Sequence, residues 1–182
     1  SNFKKNNQIY VGVPKLRNIW VKTIIKNSEK YFYNELNKFN SSSDQIIIAV
    51  LLGYFGGLPH QINNNIQIQL LKNTLEVLNG MDQNILVMLK PHVITNINTL
   101  TDIINLFPNL NSKITYLHPM ILASKTKLVI ANDYTTALCD FKVMGVPTIE
   151  YGGYTSVALD ITGGGSIRPA YIDYFINNKY FL

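Results

Sequence analysis

The sequence has little cysteine, little charge and no long apolar run. Its single cysteine, Cys139, excludes an internal disulfide, and its place in an apolar helical stretch indicates a buried structural thiol. Only 15% of the 182 residues are charged and 47% are hydrophobic, which argues against a disordered tail and predicts a globular chain with a substantial core. No apolar stretch approaches the ~20 residues that cross a bilayer, and the N-terminus lacks the pattern of a secretion signal. We therefore expect a soluble, cytoplasmic protein.

Several motifs that mark chemical sites are also missing. The sequence contains no CxxC, HExxH, GxSxG or DxD motif, which removes support for zinc chemistry, a hydrolase elbow and a metal-bridged diphosphate. The pair Gly56-Gly57 belongs to neither a P-loop nor a GxGxxG motif. It either lets a ligand approach the backbone closely or forms a plain tight turn. We predict a site without a metal or a cofactor.

The net charge is +5, and positive residues concentrate only in the N-terminal segment, at Lys4, Lys5, Lys15, Arg17, Lys22, Lys26 and Lys30. Because no nucleic-acid recognition motif accompanies them, we expect no nucleic-acid partner. Two interpretations stay open. The segment is either a solvated basic surface, or a surface that attracts phosphorylated donors, polyanionic acceptors or the inner face of an anionic membrane.

The order of apolar and polar segments predicts an α/β fold. The polar cluster from Asn40 to Asp44 marks a boundary between an N-terminal segment, residues 1–43, and a main domain, residues 44–182. The N-terminal segment is predicted to contain a strand over 8–13 and a basic helix over 18–39. In that domain, we predict strands over 46–54, 84–90, 114–117, 128–131 and 148–151, and helices over 66–78, 99–106, 119–124 and 134–144. Such alternation predicts a Rossmann-like parallel sheet of five or six strands with helices on both faces, followed by a glycine loop and a closing helix.

Polar side chains follow the predicted strands at the edge where parallel sheets bind ligands. Lys90 and His92 end the second strand, and they either contact phosphate or an acceptor hydroxyl or simply emerge into water. His118 precedes Pro119, which fixes φ near −65° and suits the first turn of a helix. The imidazole there could donate to a departing phosphate; the alternative is a structural histidine.

The last two strands end in further candidates. Asp133 or a threonine of the pair Thr135-Thr136 can cap the next helix, and the remaining hydroxyl and helix N–H groups could then bind a phosphate without a metal. Gly145 is expected to end that helix in the left-handed conformation, before Pro147. Glu150 either accepts hydrogen bonds from ribose hydroxyls or is a surface carboxylate.

The region from Gln45 to Gly153 resembles the C-terminal, donor-binding half of a GT-B glycosyltransferase, and is most similar to capsule, sialyl, Kdo and CDP-glycerol transferases of bacterial surface polysaccharides. The residues that carry the resemblance are His118-Pro119, Thr135-Thr136 and the segment from Gly145 to Ile149. In transferases that use CMP-activated sugars, such a histidine and hydroxyl pair contact the nucleotide and its phosphate. The segment from Val11 to Lys15 also resembles a GxPR-like stretch near the junction of the two halves, with lysine in place of arginine.

The resemblance implies transfer of a sugar from a nucleotide-sugar, with CMP favoured, to a saccharide acceptor. Its expected catalytic residue is His118, and its expected partner is an N-terminal acceptor-binding domain in the same or another chain, since this chain has no room for one. Two alternatives stay open. The chain is half of a sugar-nucleotide epimerase of the same build, or it is a non-catalytic nucleotide-binding or interaction module.

Overall fold

The computed structural model describes residues 17–41, 44–53, 64–81, 84–93, 95–132 and 135–152. The predicted strand over 8–13 and the predicted loop and helix after residue 153 lie outside these ranges, as do Gly56, Gly57 and Asp133. Ten elements follow in chain order: α1 (Asn18–Lys38), β1 (Ile46–Leu52), α2 (Asn64–Asn79), β2 (Ile85–Lys90), α3 (Ile97–Ile104), β3 (Ser112–Ile114), α4 (Pro119–Ala123), β4 (Leu128–Asn132), α5 (Ala137–Val143) and β5 (Thr148–Tyr151).

The strands form a five-stranded sheet in the order β3-β2-β1-β4-β5, and every pair is parallel. This confirms the predicted α/β, Rossmann-like fold. β1 lies at the centre, with Val50 opposite Leu89 of β2 on one side and opposite Ile130 of β4 on the other. The chain first builds outward from β1 to β2 and β3, and then returns to the other side of β1 for β4 and β5.

Both faces of the sheet are covered, because β1 and β2 are apolar at almost every position and alternate residues point to opposite faces. On one face, Ile48, Val50 and Leu52 pack with residues of α2 and α3. On the other face, Ile47, Ala49 and Leu51 pack with residues of α1, α4 and α5. Helix α1 therefore shares a core with the sheet, through Phe32 and Leu36 among others.

The ends of the elements follow local rules. Asn96 caps α3, since its side chain accepts from the N–H groups of Asn98 and Thr99. Gly145 has φ +76°, which confirms the left-handed position predicted after α5. Helix α5 begins at Ala137 and not at 134, and β3 covers Ser112–Ile114 and not 114–117. Just after β3, the N–H of Thr115 still donates to the carbonyl of Leu89 on β2 at 2.8 Å, while its side chain enters a hydrogen-bond network that is described below.

Candidate functional site

The candidate site lies at the carboxyl edge of the sheet, where the strand order changes direction. In open parallel sheets, ligands bind in the crevice between the two strands that flank such a switch point, which here are β1 and β4. Just beyond β1, the N–H of Gly53 donates to the backbone carbonyl of Asn132 at 3.1 Å. This bond ties the two strand ends together at the base of the crevice.

Asn132 is the most unusual polar residue of this edge, and the sequence analysis did not select it. Its side chain is only 1% exposed, and its Nδ2 donates to Thr74 Oγ1 at 2.8 Å. Thr74 Oγ1 donates in turn to the carbonyl of Leu70, so the threonine hydroxyl can only accept from Asn132. The orientation of the amide follows from this chain of donors. Within the described ranges, its Oδ1 meets no donor.

The signal that could have found Asn132 is an amide at the last position of an otherwise apolar strand. A buried acceptor without a donor costs about 1–3 kcal/mol, so native proteins keep few of them. The loop after β2 also buries the Thr95 hydroxyl, for which the described part of the chain offers no hydrogen-bond partner.

His118 is the N-cap of α4, as the sequence indicated, and its side chain is exposed. Its Nδ1 accepts from the N–H of Met120 at 3.2 Å, and Pro119 occupies the first turn. An accepting Nδ1 carries no proton, so the neutral ring has its proton on Nε2. Among the hydrogen bonds of the described residues, none involves Nε2. His118 is thus both a structural cap and a ring with an N–H donor to offer.

The turn that leads to His118 is held by a buried carboxylate on α1. Thr115 is fully buried and donates to Glu35 Oε1 at 2.7 Å, while its hydroxyl accepts from the N–H of Leu117 at 3.2 Å. Glu35 is 7% exposed, and its other oxygen contacts Lys38 Nζ at 2.9 Å. Glu35 was not predicted to matter. Its only sequence signal is a charge between the apolar positions Phe32 and Leu36 of α1.

Thr135 and Thr136 lie one helix away from His118. Both α4 and α5 begin at the carboxyl edge, and they pack against each other with Met120 close to Cys139. Thr135 Oγ1 accepts from the N–H of Ala137 at 3.3 Å, whereas Thr136 is exposed and makes no side-chain cap bond. The structure therefore brings the histidine and the hydroxyl pair to the starts of two neighbouring helices.

Lys90 and His92 follow β2 at the same edge, and both are partly buried. Burial lowers the pKa of the Lys90 ammonium, since a charged group loses hydration there. A bound anion would reverse this effect. Lys90 on β2 and Asn132 on β4 are separated by β1. Because neighbouring strands are about 4.8 Å apart, the backbones of these two residues lie roughly 10 Å apart.

Glu150 lies on the edge strand β5 opposite Ala131. Ala131 belongs to the core on the α5 face, and the alternation of the strand puts Glu150 on that face too. Both carboxylate oxygens of Glu150 are buried, so it is not a surface carboxylate. Asn132 faces α2 on the opposite side. The predicted residues thus share one edge without forming one compact cluster.

A groove of about 380 Å³ opens on the α2 face next to Asn132. It is lined by residues of α2, β4 and β5, namely Asn73, Thr74, Val77, Ile130, Ile149, Glu150 and Tyr151. The Tyr151 hydroxyl accepts a hydrogen bond from Asn73 Nδ2 at 3.0 Å, and this contact between β5 and α2 bounds one side of the groove. Val77, Ile149 and Tyr151 expose apolar surface to it, so the walls of the groove are mainly apolar.

Comparisons with known proteins add no family to this description. No protein-family model matches the sequence, and a search of curated proteins finds no match. Within the described ranges, no three His, Cys, Asp or Glu side chains lie together as a metal ion would require. None of the helices in these ranges has the length and apolar character to span a membrane.

Proposed function

We propose that this chain is the donor-binding half of a GT-B glycosyltransferase, which moves a sugar from a nucleotide-activated donor, with CMP favoured, to a saccharide acceptor of a surface polysaccharide. The observation that carries the proposal is the switch point between β1 and β4, with polar groups along the same edge. The resemblance of the His118-Pro119 and Thr135-Thr136 segments supports it, because both segments begin neighbouring helices at that edge.

In this proposal, the nucleotide lies over the carboxyl edge and its phosphate contacts His118 and the hydroxyl pair. When the bond between the sugar and the phosphate breaks, negative charge grows on the phosphate oxygens. The Nε2 proton of His118, and the Thr136 hydroxyl, which makes no cap bond, are the donors that could stabilise this charge. Deprotonation of the acceptor hydroxyl would fall to the acceptor-binding domain.

Helices α4 and α5 have only 5 and 7 residues, so side-chain donors must carry most of the phosphate recognition. Lys90 adds a positive charge on β2. Burial lowers the pKa of Lys90, and a phosphate bound nearby would favour its charged form. At a pH above the lowered pKa, phosphate binding would therefore be accompanied by uptake of a proton by Lys90.

The test is a thermal-shift titration of the folded chain with CMP, CDP, UDP and GDP. A nucleotide at 100 times its dissociation constant stabilises the folded state by ~2.7 kcal/mol, which raises the Tm of a chain of this size by about 5–10 °C. No shift with any of the four nucleotides would refute the donor site.

Two variants separate the roles of His118. In His118→Asn, an amide replaces the ring, and asparagine is a preferred N-cap, so the Met120 N–H keeps an acceptor while the Nε2 donor is lost. We expect a Tm for the free protein close to that of the wild type and about tenfold weaker CMP binding. His118→Ala should lower both the Tm of the free protein and its affinity for CMP. If His118→Asn binds CMP as well as the wild type, His118 is only a cap.

A second candidate is a non-catalytic interaction module, and the outward face of α1 favours it. Lys22, Lys26 and Lys30 are exposed at a spacing of four residues, beside exposed Ile19 and Trp20. Such a basic and aromatic surface suits an acidic partner. A folded chain that binds no nucleotide, yet loses binding to its partner in Lys26→Glu, would favour this candidate.

A further inference from the structure

We propose that the outward face of α1 binds the surface of an anionic membrane, with its lysines on the lipid phosphates and with Ile19 and Trp20 in the interface between lipid and water. The inference goes beyond the proposed function, because it concerns a surface that takes no part in binding the nucleotide-sugar. The partner is a lipid bilayer that contains anionic phospholipids, and the helix lies on this surface.

A row of lysines supplies the charge of this face. Lys22, Lys26 and Lys30 follow one another at intervals of four residues, so they lie on the same side of the helix, and all three are exposed. From the first to the last, the row is about 12 Å long, because a helix rises about 1.5 Å per residue. Among the described residues, no carboxylate forms an ion pair with any of the three. Their charge is therefore available to a partner.

The acidic side chains of α1 do not cancel this charge. Glu35 is buried, and Glu29, the other acidic residue of the helix, contacts Lys125 Nζ at 2.9 Å. Lys125 also lies 5.7 Å from the centroid of the Tyr33 ring. These contacts hold the loop after α4 against α1, beside the lysine row, and the exposed Lys127 adds a further positive charge on that loop. The positive surface thus extends beyond the helix.

Large apolar side chains accompany the lysines. Ile19 is 76% exposed and lies about one turn before Lys22 on the same side of α1. Trp20 is 46% exposed and Tyr31 is 54% exposed, and the two lie about three turns apart along the side next to the lysine row. A polyanion that binds through charge alone gives these side chains nothing to pack against. At the surface of a bilayer, aromatic rings and lysine stems contact apolar lipid while their polar ends stay in water.

The shape of the face also suits a lipid surface. The face belongs to a single helix and is convex, so a folded protein partner needs a groove that matches it. A fluid layer of lipids adapts to a convex surface and places phosphates along its whole length. Charge together with exposed aromatic and aliphatic groups is the pattern of helices that lie in the membrane interface. These properties favour an anionic membrane over an acidic protein.

The face lies next to the candidate site without sharing a residue with it. Val21, on the buried side of the first turns of α1, packs with Met120 of α4. Met120 is two residues after His118, so the start of α1 lies beside the start of α4. Contact between α1 and a membrane would therefore keep this part of the carboxyl edge close to the lipid surface.

The experiment measures sedimentation of the folded chain with vesicles of phosphatidylcholine alone, and with vesicles of equal parts phosphatidylcholine and phosphatidylglycerol. We expect binding to the anionic vesicles only, and we expect it to weaken as salt is added, because salt screens the charges. Trp20 is the only tryptophan of the chain, so its fluorescence reports on this face directly. Its emission should shift to shorter wavelengths when the ring leaves water for the interface.

Variants of the lysine row identify the charges that bind. Each of Lys22→Gln, Lys26→Gln and Lys30→Gln should weaken binding to the anionic vesicles about fivefold, and the triple variant roughly 100-fold. Glutamine is nearly as good a helix former as lysine, and these positions are exposed, so the Tm should stay that of the wild type. Lys72→Gln on α2, which covers the opposite face of the sheet, is the matched control and should bind like the wild type. The lysines before α1 are the same in every variant.

The apolar contribution has its own variant. Ile19→Gln leaves the charge unchanged and removes an exposed aliphatic group, so the Tm should not fall. Binding to anionic vesicles should weaken about fivefold, as expected when part of an isoleucine side chain is buried on binding.

Three results would overturn the inference. They are a wild type that does not bind anionic vesicles, a triple lysine variant that binds them as tightly as the wild type, and a Trp20 emission that does not change in the bound chain. Binding to poly-glutamate without binding to vesicles would also overturn it, because the partner would then be an acidic protein.

Nucleotide binding keeps the inference apart from the proposed function. The triple lysine variant should show the same change in Tm with CMP as the wild type. If it loses this change but still binds vesicles normally, the lysines serve the nucleotide and the inference is wrong. A wild type that binds vesicles through the lysine row but shows no change in Tm with any nucleotide overturns the proposed function and leaves the inference standing.

Discussion

The network of Glu35, Thr115 and the N–H of Leu117 offers the sharpest test of how the edge is built. It joins α1 to the turn after β3 that leads directly to His118. Replacing Glu35 by alanine removes the acceptor of a fully buried hydroxyl. The Thr115 hydroxyl then has to donate elsewhere or stay unpaired inside the protein.

The size of the effect follows from burial. An unpaired buried donor costs about 1–3 kcal/mol, and the lost bond was to a charged oxygen, which puts the expected loss near 2 kcal/mol. For a chain of this length, such a loss lowers Tm by about 4–8 °C. The ion pair between Glu35 and Lys38 adds little to this sum, since the lysine side chain is 70% exposed. Lys38→Ala is therefore the matched control and should change stability by less than about 0.5 kcal/mol.

The assay is urea denaturation of the wild type, Glu35→Ala, Thr115→Val and the double variant. In the double-mutant cycle, Glu35 and Thr115 should show a coupling energy of about 1–2 kcal/mol in the free energy of unfolding, because each single change already removes the bond that they share. Glu35→Gln keeps an acceptor oxygen and should lose much less than Glu35→Ala. A coupling energy near zero, or a Glu35→Ala variant as stable as the wild type, would refute the role given to this network.

Three further predictions concern single positions. Burial lowers the pKa of Lys90 below 10.5, so the folded chain releases this proton at a lower pH than the unfolded chain. The contribution of Lys90 to the free energy of unfolding should therefore rise with pH, from the lowered pKa up to 10.5. Urea titrations over that pH range should show this rise in the wild type and not in Lys90→Met. Gly145 has φ +76° with open space around it, so Gly145→Ala should lower the free energy of unfolding by about 1 kcal/mol through backbone strain alone. Gly80→Ala is the control: its added methyl group meets only ordinary contacts, and thermal denaturation should show almost no change in stability. Asn96→Ala should lose about 1 kcal/mol through the cap of α3, and Asn96→Asp should restore most of it in the same assay.

The sequence predicted the fold well, because the signals for it are local and repeated. Runs such as Ile46–Leu52 and Ile85–Lys90 are apolar at nearly every position, which parallel strands require when both faces are covered. Pro119 and Gly145 mark helix boundaries through their own backbone preferences. The order of such segments was enough to predict a parallel sheet with helices on both faces.

The shape of the edge depended on contacts between residues distant in the chain. Glu35 and Thr115 are 80 positions apart, and Asn132 and Thr74 are 58 apart, so no local pattern joins them. The expectation for Glu150 shows a related limit, since a pattern cannot tell whether a carboxylate at the end of an edge strand is buried.

The sequence by itself determined the class of fold and the side chains available at the strand ends, since hydrophobic periodicity and turn residues act over a few positions. Only the tertiary structure decided which of those side chains are already engaged and which acceptor is left without a donor. His118 proved to be a cap as well as a candidate donor, and Asn132 became a candidate only through its burial beside Thr74. Hydrogen-bond satisfaction is a property of packed neighbours, and packing brings those neighbours from far apart in the chain.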